Sequence, residues 1–187
     1  MTLQRLIYAL ALIALLWLGR AILQPPAPLP VSSSYGSVRL DNYQITPLQA
    51  FNLEARVLGR EDYHFDRGAE LSPTDLALGW GPMAELPVLD KISISQSNRW
   101  YLWRADELPI PRREIEIHSA NMHMIPANST VAAILARVKT GQRIQLSGQL
   151  VRVEAPDGFT WSSSLSREDT GAGACELIWL EQLQVLN

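Results

Sequence analysis

The stretch RIQLSGQLVRVEAPDGFTWSSSL, residues 143–165, decides the fold class. Its first half, from Arg143 to Val153, is rich in residues that favour strands. The apolar pattern slips between Leu150 and Val151, close to Gly148, and a glycine inside a strand often marks a bulge or bend. The stretch therefore predicts a long strand that curves.

The second half of this stretch predicts a hairpin. Residues 155–158, Ala-Pro-Asp-Gly, form a turn in which proline sets φ and glycine takes the left-handed position. Residues 159–165 alternate as a returning strand. A polar loop, residues 167–173, then leads to a last strand from Cys175 to about Val185.

Upstream of the hairpin the pattern predicts more strands and two helices. The extended segments are residues 38–45, 51–58, 92–103 and 115–125, the last with a shift in its apolar phase. Ser72, Pro73 and Asp75 form a helix-start signal for a short helix that Gly79 ends. A second helix begins at Asn128 or Ser129 and ends at Gly141, with an apolar face made of Val131, Ile134, Leu135 and Val138.

Long bent strands interrupted by glycine are typical of small, strongly curved sheets. We therefore predict that residues 35–187 form one β-rich α+β domain. It would be a small curved sheet or an OB-like barrel with one or two short helices.

An N-terminal transmembrane helix is predicted over residues 1–23. Leu6 to Gly19 is uncharged, Arg20 interrupts the run, and the segment to Leu23 would be about 27 Å long as a helix. This crosses a hydrocarbon core of roughly 30 Å if Arg20 snorkels to the interface. A cleaved signal sequence is the alternative, with residues 19–21 as a small-x-small site.

Residues 24–34, QPPAPLPVSSS, are a proline- and serine-rich linker. With Arg5 held in the cytoplasm, we expect a single-pass protein of the bacterial inner membrane whose C-terminal domain faces the periplasm.

The charge of the exported part excludes one class of partner. The chain has a net charge of −3, and residues 1–23 hold two arginines and no acid. The remainder therefore carries 14 basic and 19 acidic side chains, a net charge of about −5. Phosphate contacts require clustered lysine and arginine, so we expect no nucleic acid partner.

Cys175 and His123 are the candidate catalytic residues. A cysteine becomes a nucleophile when a base or a positive environment stabilises its thiolate. The order of His123, a helix, a hairpin and Cys175 is similar to that of sortase-type transpeptidases, which also use a later arginine. No arginine follows Arg167 here, and a buried strand cysteine is the simpler interpretation.

The sequence predicts no metal site and no cofactor. His118 and His123 lie five residues apart, so on a regular strand they point to opposite faces. His64 and Asp66 share a face of a predicted strand, but two ligands are too few for a metal centre.

A candidate binding surface combines an aromatic–arginine cluster with a charged loop. Exposed aromatic and arginine side chains are the composition of an interaction hot spot, and aromatic rings also hold sugars. Ordinary core aromatics and a solvated turn are the alternatives. The candidate binding residues are Trp100, Tyr101, Trp103, Arg104, Arg167 and Asp169.

Three stretches, residues 75–81 (DLALGWG), 119–123 (SANMH) and 161–176, together resemble short, membrane-anchored, uncharacterised proteins of proteobacteria. The resemblance implies an inner-membrane setting and no known activity. We expect a non-enzymatic interaction domain that binds an envelope protein or polymer. A cysteine-dependent envelope transpeptidase or hydrolase is the alternative.

Overall fold

The computed structural model describes residues 36–168 and 174–186. The strands in this part of the chain are β1 Val38–Leu40, β2 Tyr43–Asp62, β3 Thr74–Gly79, β4 Ser93–Ser97, β5 Trp100–Arg104, β6 Ser119–Pro126, β7 Arg143–Glu154, β8 Thr160–Ser162 and β9 Glu176–Leu186. The helices are α1 Leu86–Leu89, α2 Arg112–Ile117 and α3 Ser129–Leu135, with 3-10 turns at Arg67–Glu70 and Gly81–Ala84. No helix in the described ranges is long and apolar enough to cross a bilayer. The predicted anchor and linker, residues 1–34, lie outside them.

The long β2 strand organises a strongly curved mixed sheet. It pairs with β7 along its first part and with β3 along its last part. β3 pairs with β6, β6 pairs in parallel with β9, and β9 pairs with β7. These five pairings lead from β2 back to β2, while β1 and β8 extend the sheet beside β2 and β7. The prediction of a β-rich domain with a curved sheet and few short helices is confirmed.

The predicted bend at Gly148 is confirmed. The register between β7 and β9 shifts between Ser147 and Gly148. A Cβ atom on Gly148 would lie 2.0 Å from the carbonyl oxygen of Trp179, so only glycine allows this close approach of two backbones. The turn at residues 155–158 also forms, with Gly158 at a φ of +90°.

The main core lies inside the curved sheet, and α3 packs against one end of it. Side chains that alternate along β3 and β6 point into this core, among them Leu76, Leu78, Met122 and Met124, none of which is exposed. Their neighbours on the same strands face outward and are nevertheless buried, because a further layer covers the outside of the sheet.

That outer layer is a hairpin of β4 and β5, together with α1 and α2. It packs on Leu58, Ala77, Met83, Ile92 and Ile115 to form a separate apolar cluster. Ser97 pairs with Trp100, so the hairpin turn contains two residues, Asn98 and Arg99. Their φ angles are 53° and 68°, as a type I′ turn requires.

Two of the predicted elements are wrong. The helix predicted over residues 72–78 is instead β3, because all six residues of this strand are buried between β2 and β6. Burial on both faces outweighs the local helix-start signal at Ser72 and Pro73. The extended segment predicted over residues 115–125 begins as α2, which ends at Ile117, and only then becomes β6.

Other boundaries differ from the prediction. Asn128 caps α3 by accepting a hydrogen bond from the Val131 amide at 3.0 Å, as expected, but the helix ends at Leu135 rather than Gly141. The segment over residues 92–103 forms two strands instead of one. β2 ends at Asp62, so the strand face predicted for His64 and Asp66 does not exist.

Candidate functional site

A pocket of about 330 Å³ opens beside the β4–β5 hairpin, and we call it the aromatic pocket. It lies between β5, α2, the start of β6 and the start of β9. Its lining residues are Trp80, Trp100, Tyr101, Leu102, Trp103, Arg112, Glu116, Ile117, Ser119, Ala120, Asn121, Ser166, Arg167, Ala174, Cys175 and Glu176.

The aromatic wall comes mainly from β5. Trp100 and Leu102 are 44% and 66% exposed, while Tyr101 and Trp103 pack on the outer apolar cluster. The Tyr101 hydroxyl lies 2.6 Å from Ser119 Oγ. Burial raises the pKa of Tyr101, which the bond to Ser119 partly counteracts, so this wall carries no charge at neutral pH.

Two acid–base pairs complete the lining. The guanidinium of Arg112 lies 5.1 Å from the Trp103 ring centre and 3.6 Å from Glu116. Arg167 forms an ion pair with Glu176 and lies 5.8 Å from the Trp80 ring centre. The formal charges of the lining therefore cancel.

Glu176 is the most buried acid of the pocket, with 1% of its surface exposed. It begins β9 opposite Met122 of β6. One carboxylate oxygen pairs with Arg167, whereas Oε2 has no hydrogen-bond partner among the described residues. A buried acceptor without a donor costs about 1–3 kcal/mol. It is therefore a candidate contact for a ligand donor.

Cys175 lines the aromatic pocket and is partly exposed. Its carbonyl oxygen accepts a hydrogen bond from the Ser164 amide at 3.0 Å. The pocket thus places the predicted nucleophile and Tyr101 in the same lining.

His123 lies in a different environment, buried beneath the turn of the β4–β5 hairpin. Its Nδ1 atom is 2.9 Å from Asp75 Oδ2, and its ring centre is 4.8 Å from that of Trp161. It is 3% exposed and is not among the residues that line the aromatic pocket. The imidazole of His123 therefore lies against Asp75 and Trp161 and not in the aromatic pocket.

The neighbours of His123 form a buried polar cluster that fastens the hairpin to the sheet. Arg99 donates to Asp75 at 2.8 Å and to Asp66 at 2.8 Å, and its guanidinium stacks 3.7 Å from the Tyr63 ring centre. Asn121 donates to Asp75 at 3.1 Å and also lines the aromatic pocket. The cluster and the pocket therefore share one side chain.

The structure brings most of the predicted binding residues together. Trp100, Tyr101, Trp103 and Arg167 line one pocket, although Arg167 is more than sixty positions away in sequence. Arg104 is exposed at the end of β5 and does not line it, and Asp169 lies outside the described residues.

Sequence reasoning missed several contributors to the site. Trp80, Arg112 and Glu176 line the pocket, but nothing in the sequence around them marks them as binding residues. The role of Arg99 could have been found, because Asn98 in a two-residue gap between alternating segments is a hairpin signal.

No group of three or more His, Cys, Asp or Glu side chains within residues 36–168 and 174–186 is placed to hold a metal ion. The chain matches no protein-family model, no curated protein and no solved structure.

Proposed function

We propose that this chain is a membrane-tethered, periplasm-facing binding domain that holds an envelope protein or polymer in the aromatic pocket without catalysing a reaction. One observation carries the proposal. The aromatic segment of β5 and the distant Arg167 line the same pocket, and Trp100 and Leu102 remain exposed at its edge. Exposed aromatic and arginine side chains around a pocket are typical of binding hot spots.

The tether is part of this proposal and rests on the sequence. Residues 1–23 supply the apolar segment, and residues 24–34 supply a linker that would hold the domain off the bilayer surface. The domain itself is mildly acidic, which favours partners other than nucleic acids.

We also propose that the curved sheet is an OB-like barrel. The support is the closed order of pairings through β2, β3, β6, β9 and β7, with α3 between the third and fourth of these strands along the chain. OB-folds bind oligonucleotides and oligosaccharides on the face of their second and third strands. Here those strands would be β3 and β6, whose outer face is covered by the β4–β5 hairpin. We therefore expect the ligand to bind in the aromatic pocket beside the hairpin and not on the covered face of β3 and β6.

Crosslinking in intact membranes tests the binding proposal. A photoreactive benzoylphenylalanine in place of Leu102, which is 66% exposed, should capture the partner in the full-length chain. Adding Trp100→Ala should abolish the adduct, because it removes the exposed aromatic wall. Phe65→Ala is the matched control, since Phe65 is fully exposed and lies away from the pocket. An undiminished adduct in a folded Trp100→Ala variant would refute the proposed surface.

A cysteine-dependent transpeptidase or hydrolase remains the second candidate, because Cys175 lines the pocket. In that mechanism His123 would act as the base, and it would first have to leave its contacts with Asp75 and Trp161. Cys175→Ser distinguishes the two functions. A binding domain leaves its partner chemically unchanged with or without Cys175, whereas an enzyme converts its substrate in the wild-type chain and fails to do so in this variant.

A further inference from the structure

We infer that the ligand of the aromatic pocket is a neutral, hydroxyl-rich glycan. The inference rests on the binding function proposed for this pocket and names the chemical class of what it binds. It follows from the free aromatic surface, the balanced charge of the lining and the unpaired oxygen of Glu176.

Some aromatic rings of the pocket are occupied by arginine side chains, and one is open to a ligand. Arg112 lies over Trp103 and Arg167 lies near Trp80, so cations of the chain already use these two rings. Trp100 is 44% exposed, and in the described ranges no ring or guanidinium stacks on it. An exposed indole offers a flat apolar face, which suits the C–H face of a sugar ring.

The charge balance argues against a charged ligand. The positive and negative charges cancel within each of two pairs of the lining, Arg112–Glu116 and Arg167–Glu176. A net anion or cation would therefore gain no charge complementarity from the lining. A neutral ligand would instead find both strong donors and strong acceptors within reach.

The pairing at Glu176 favours a hydroxyl over an amide. Oε2 of Glu176 lacks a donor, and the guanidinium of Arg167 lies against the same carboxylate. A hydroxyl carries its donor and its acceptor sites on one oxygen, so it can bond to both adjacent groups at once, whereas the donor and the acceptor of an amide lie on different atoms. The volume of about 330 Å³ is at the small end of the roughly 300–1,000 Å³ of ligand pockets. It suits a sugar unit better than a helix or strand of a protein partner.

Binding of defined saccharides tests the inference directly. The full-length chain is purified in a detergent without a sugar head group. Maltotriose, cellotriose and chitotriose are then titrated by calorimetry up to millimolar concentration. At least one should bind, and Trp100→Ala should weaken its Kd roughly tenfold, which corresponds to 1.4 kcal/mol. Phe65→Ala should leave the Kd unchanged. Absence of binding by all three, or equal binding by Trp100→Ala, overturns the glycan inference.

The crosslinked adduct at position 102 separates this failure from failure of the binding function. An adduct that requires Trp100 and is shortened by a glycan hydrolase but not by a protease supports both proposals. An adduct that requires Trp100 and is degraded only by the protease keeps the binding domain and overturns the glycan. An adduct that forms equally without Trp100 overturns both.

Discussion

Replacing Asp75 with asparagine should destabilise the domain more than any surface charge change. The Asp75 side chain is completely buried on β3, and three groups approach it: Arg99 at 2.8 Å, His123 at 2.9 Å and Asn121 at 3.1 Å. Asparagine keeps the shape of the carboxylate but removes its charge. It also turns an NH2 group toward Arg99 or Asn121, which are themselves donors.

The expected cost follows from the burial of Arg99, whose side chain is only 17% exposed. Removing one partner of a buried ion pair leaves an uncompensated charge and typically costs about 3–5 kcal/mol. The bonds from Arg99 to Asp66 and to the Ser72 carbonyl remain, so we expect the lower part of this range. For a chain of this length a loss of about 3 kcal/mol lowers Tm by roughly 6–12 °C.

Urea unfolding followed by tryptophan fluorescence measures this cost. Asp157→Asn is the matched control, because it removes the same charge from an ion pair with Arg67 whose side chains are 57% and 42% exposed. Exposed pairs contribute little, so the control should shift the unfolding midpoint far less. If Asp75→Asn shifts the midpoint no further than Asp157→Asn does, the buried ion pair does not fasten the hairpin.

Three other predictions concern separate parts of the molecule. Gly148→Ala should cost about 3 kcal/mol in urea unfolding, because the new Cβ would meet the Trp179 carbonyl. An unchanged midpoint would contradict the close approach. Burial acts to raise the pKa of Asp66, but the hydrogen bond and charge of Arg99 lower it below 3.8. The ionised Asp66 therefore stabilises the fold above pH 3.8, and this stabilisation is lost as the pH falls through the lower folded-state pKa. Asp66→Asn should flatten the acid limb of the curve of unfolding free energy against pH. An equally steep limb would contradict this. His123→Ala should leave the alkylation rate of Cys175 unchanged, and a slower rate would favour the enzyme.

The elements that were predicted correctly carry their own local signals. The bend in β7 follows from Gly148, the following turn from a proline and a glycine, and the start of α3 from Asn128. In each case the backbone conformation is decided by side chains within a few positions.

The elements that were missed depend on distant contacts. Residues 74–79 carry a helix-start signal, yet pairing with β2 and β6 on both sides makes them a central strand. The parallel pairing of β6 with β9 joins segments about fifty positions apart. No local pattern specifies such a partner. The burial of Asp75 could not be foreseen either, because an acid in the first turn of a predicted helix normally caps that helix at the surface.

The candidate site was predicted in pieces. The aromatic cluster of β5 and Arg167 were recognised separately by composition, and only the fold shows that they line one pocket. Cys175 and His123 were paired because of their order in the chain. The structure instead places His123 in the polar cluster with Asp75 and Arg99. Composition thus identified residues that can bind or react, but only the topology determines which of them lie together.

Several contacts hold the hairpin that carries the aromatic wall, and two of them can be removed separately. The ion pair of Arg99 with Asp75 holds the turn, and the hydroxyl of Tyr101 holds the middle of β5 to Ser119 at 2.6 Å. Tyr101→Phe removes only the second contact. Ser119 keeps its bond to the Ile115 carbonyl, so no buried group is left unpaired. The cost in stability should therefore be about 1 kcal/mol, well below that of Asp75→Asn.

The effect of Tyr101→Phe on binding should exceed its effect on stability. A wall that has lost the Tyr101–Ser119 contact samples more positions, and ligand binding must then restore the order. We expect the yield of the adduct at position 102 to fall while the urea midpoint changes little. Ser162→Ala is a suitable control, because it removes an exposed hydroxyl from β8, away from the pocket. A full adduct yield in Tyr101→Phe would show that the remaining hairpin contacts, among them the Arg99–Asp75 ion pair, position β5 without the Tyr101 hydroxyl.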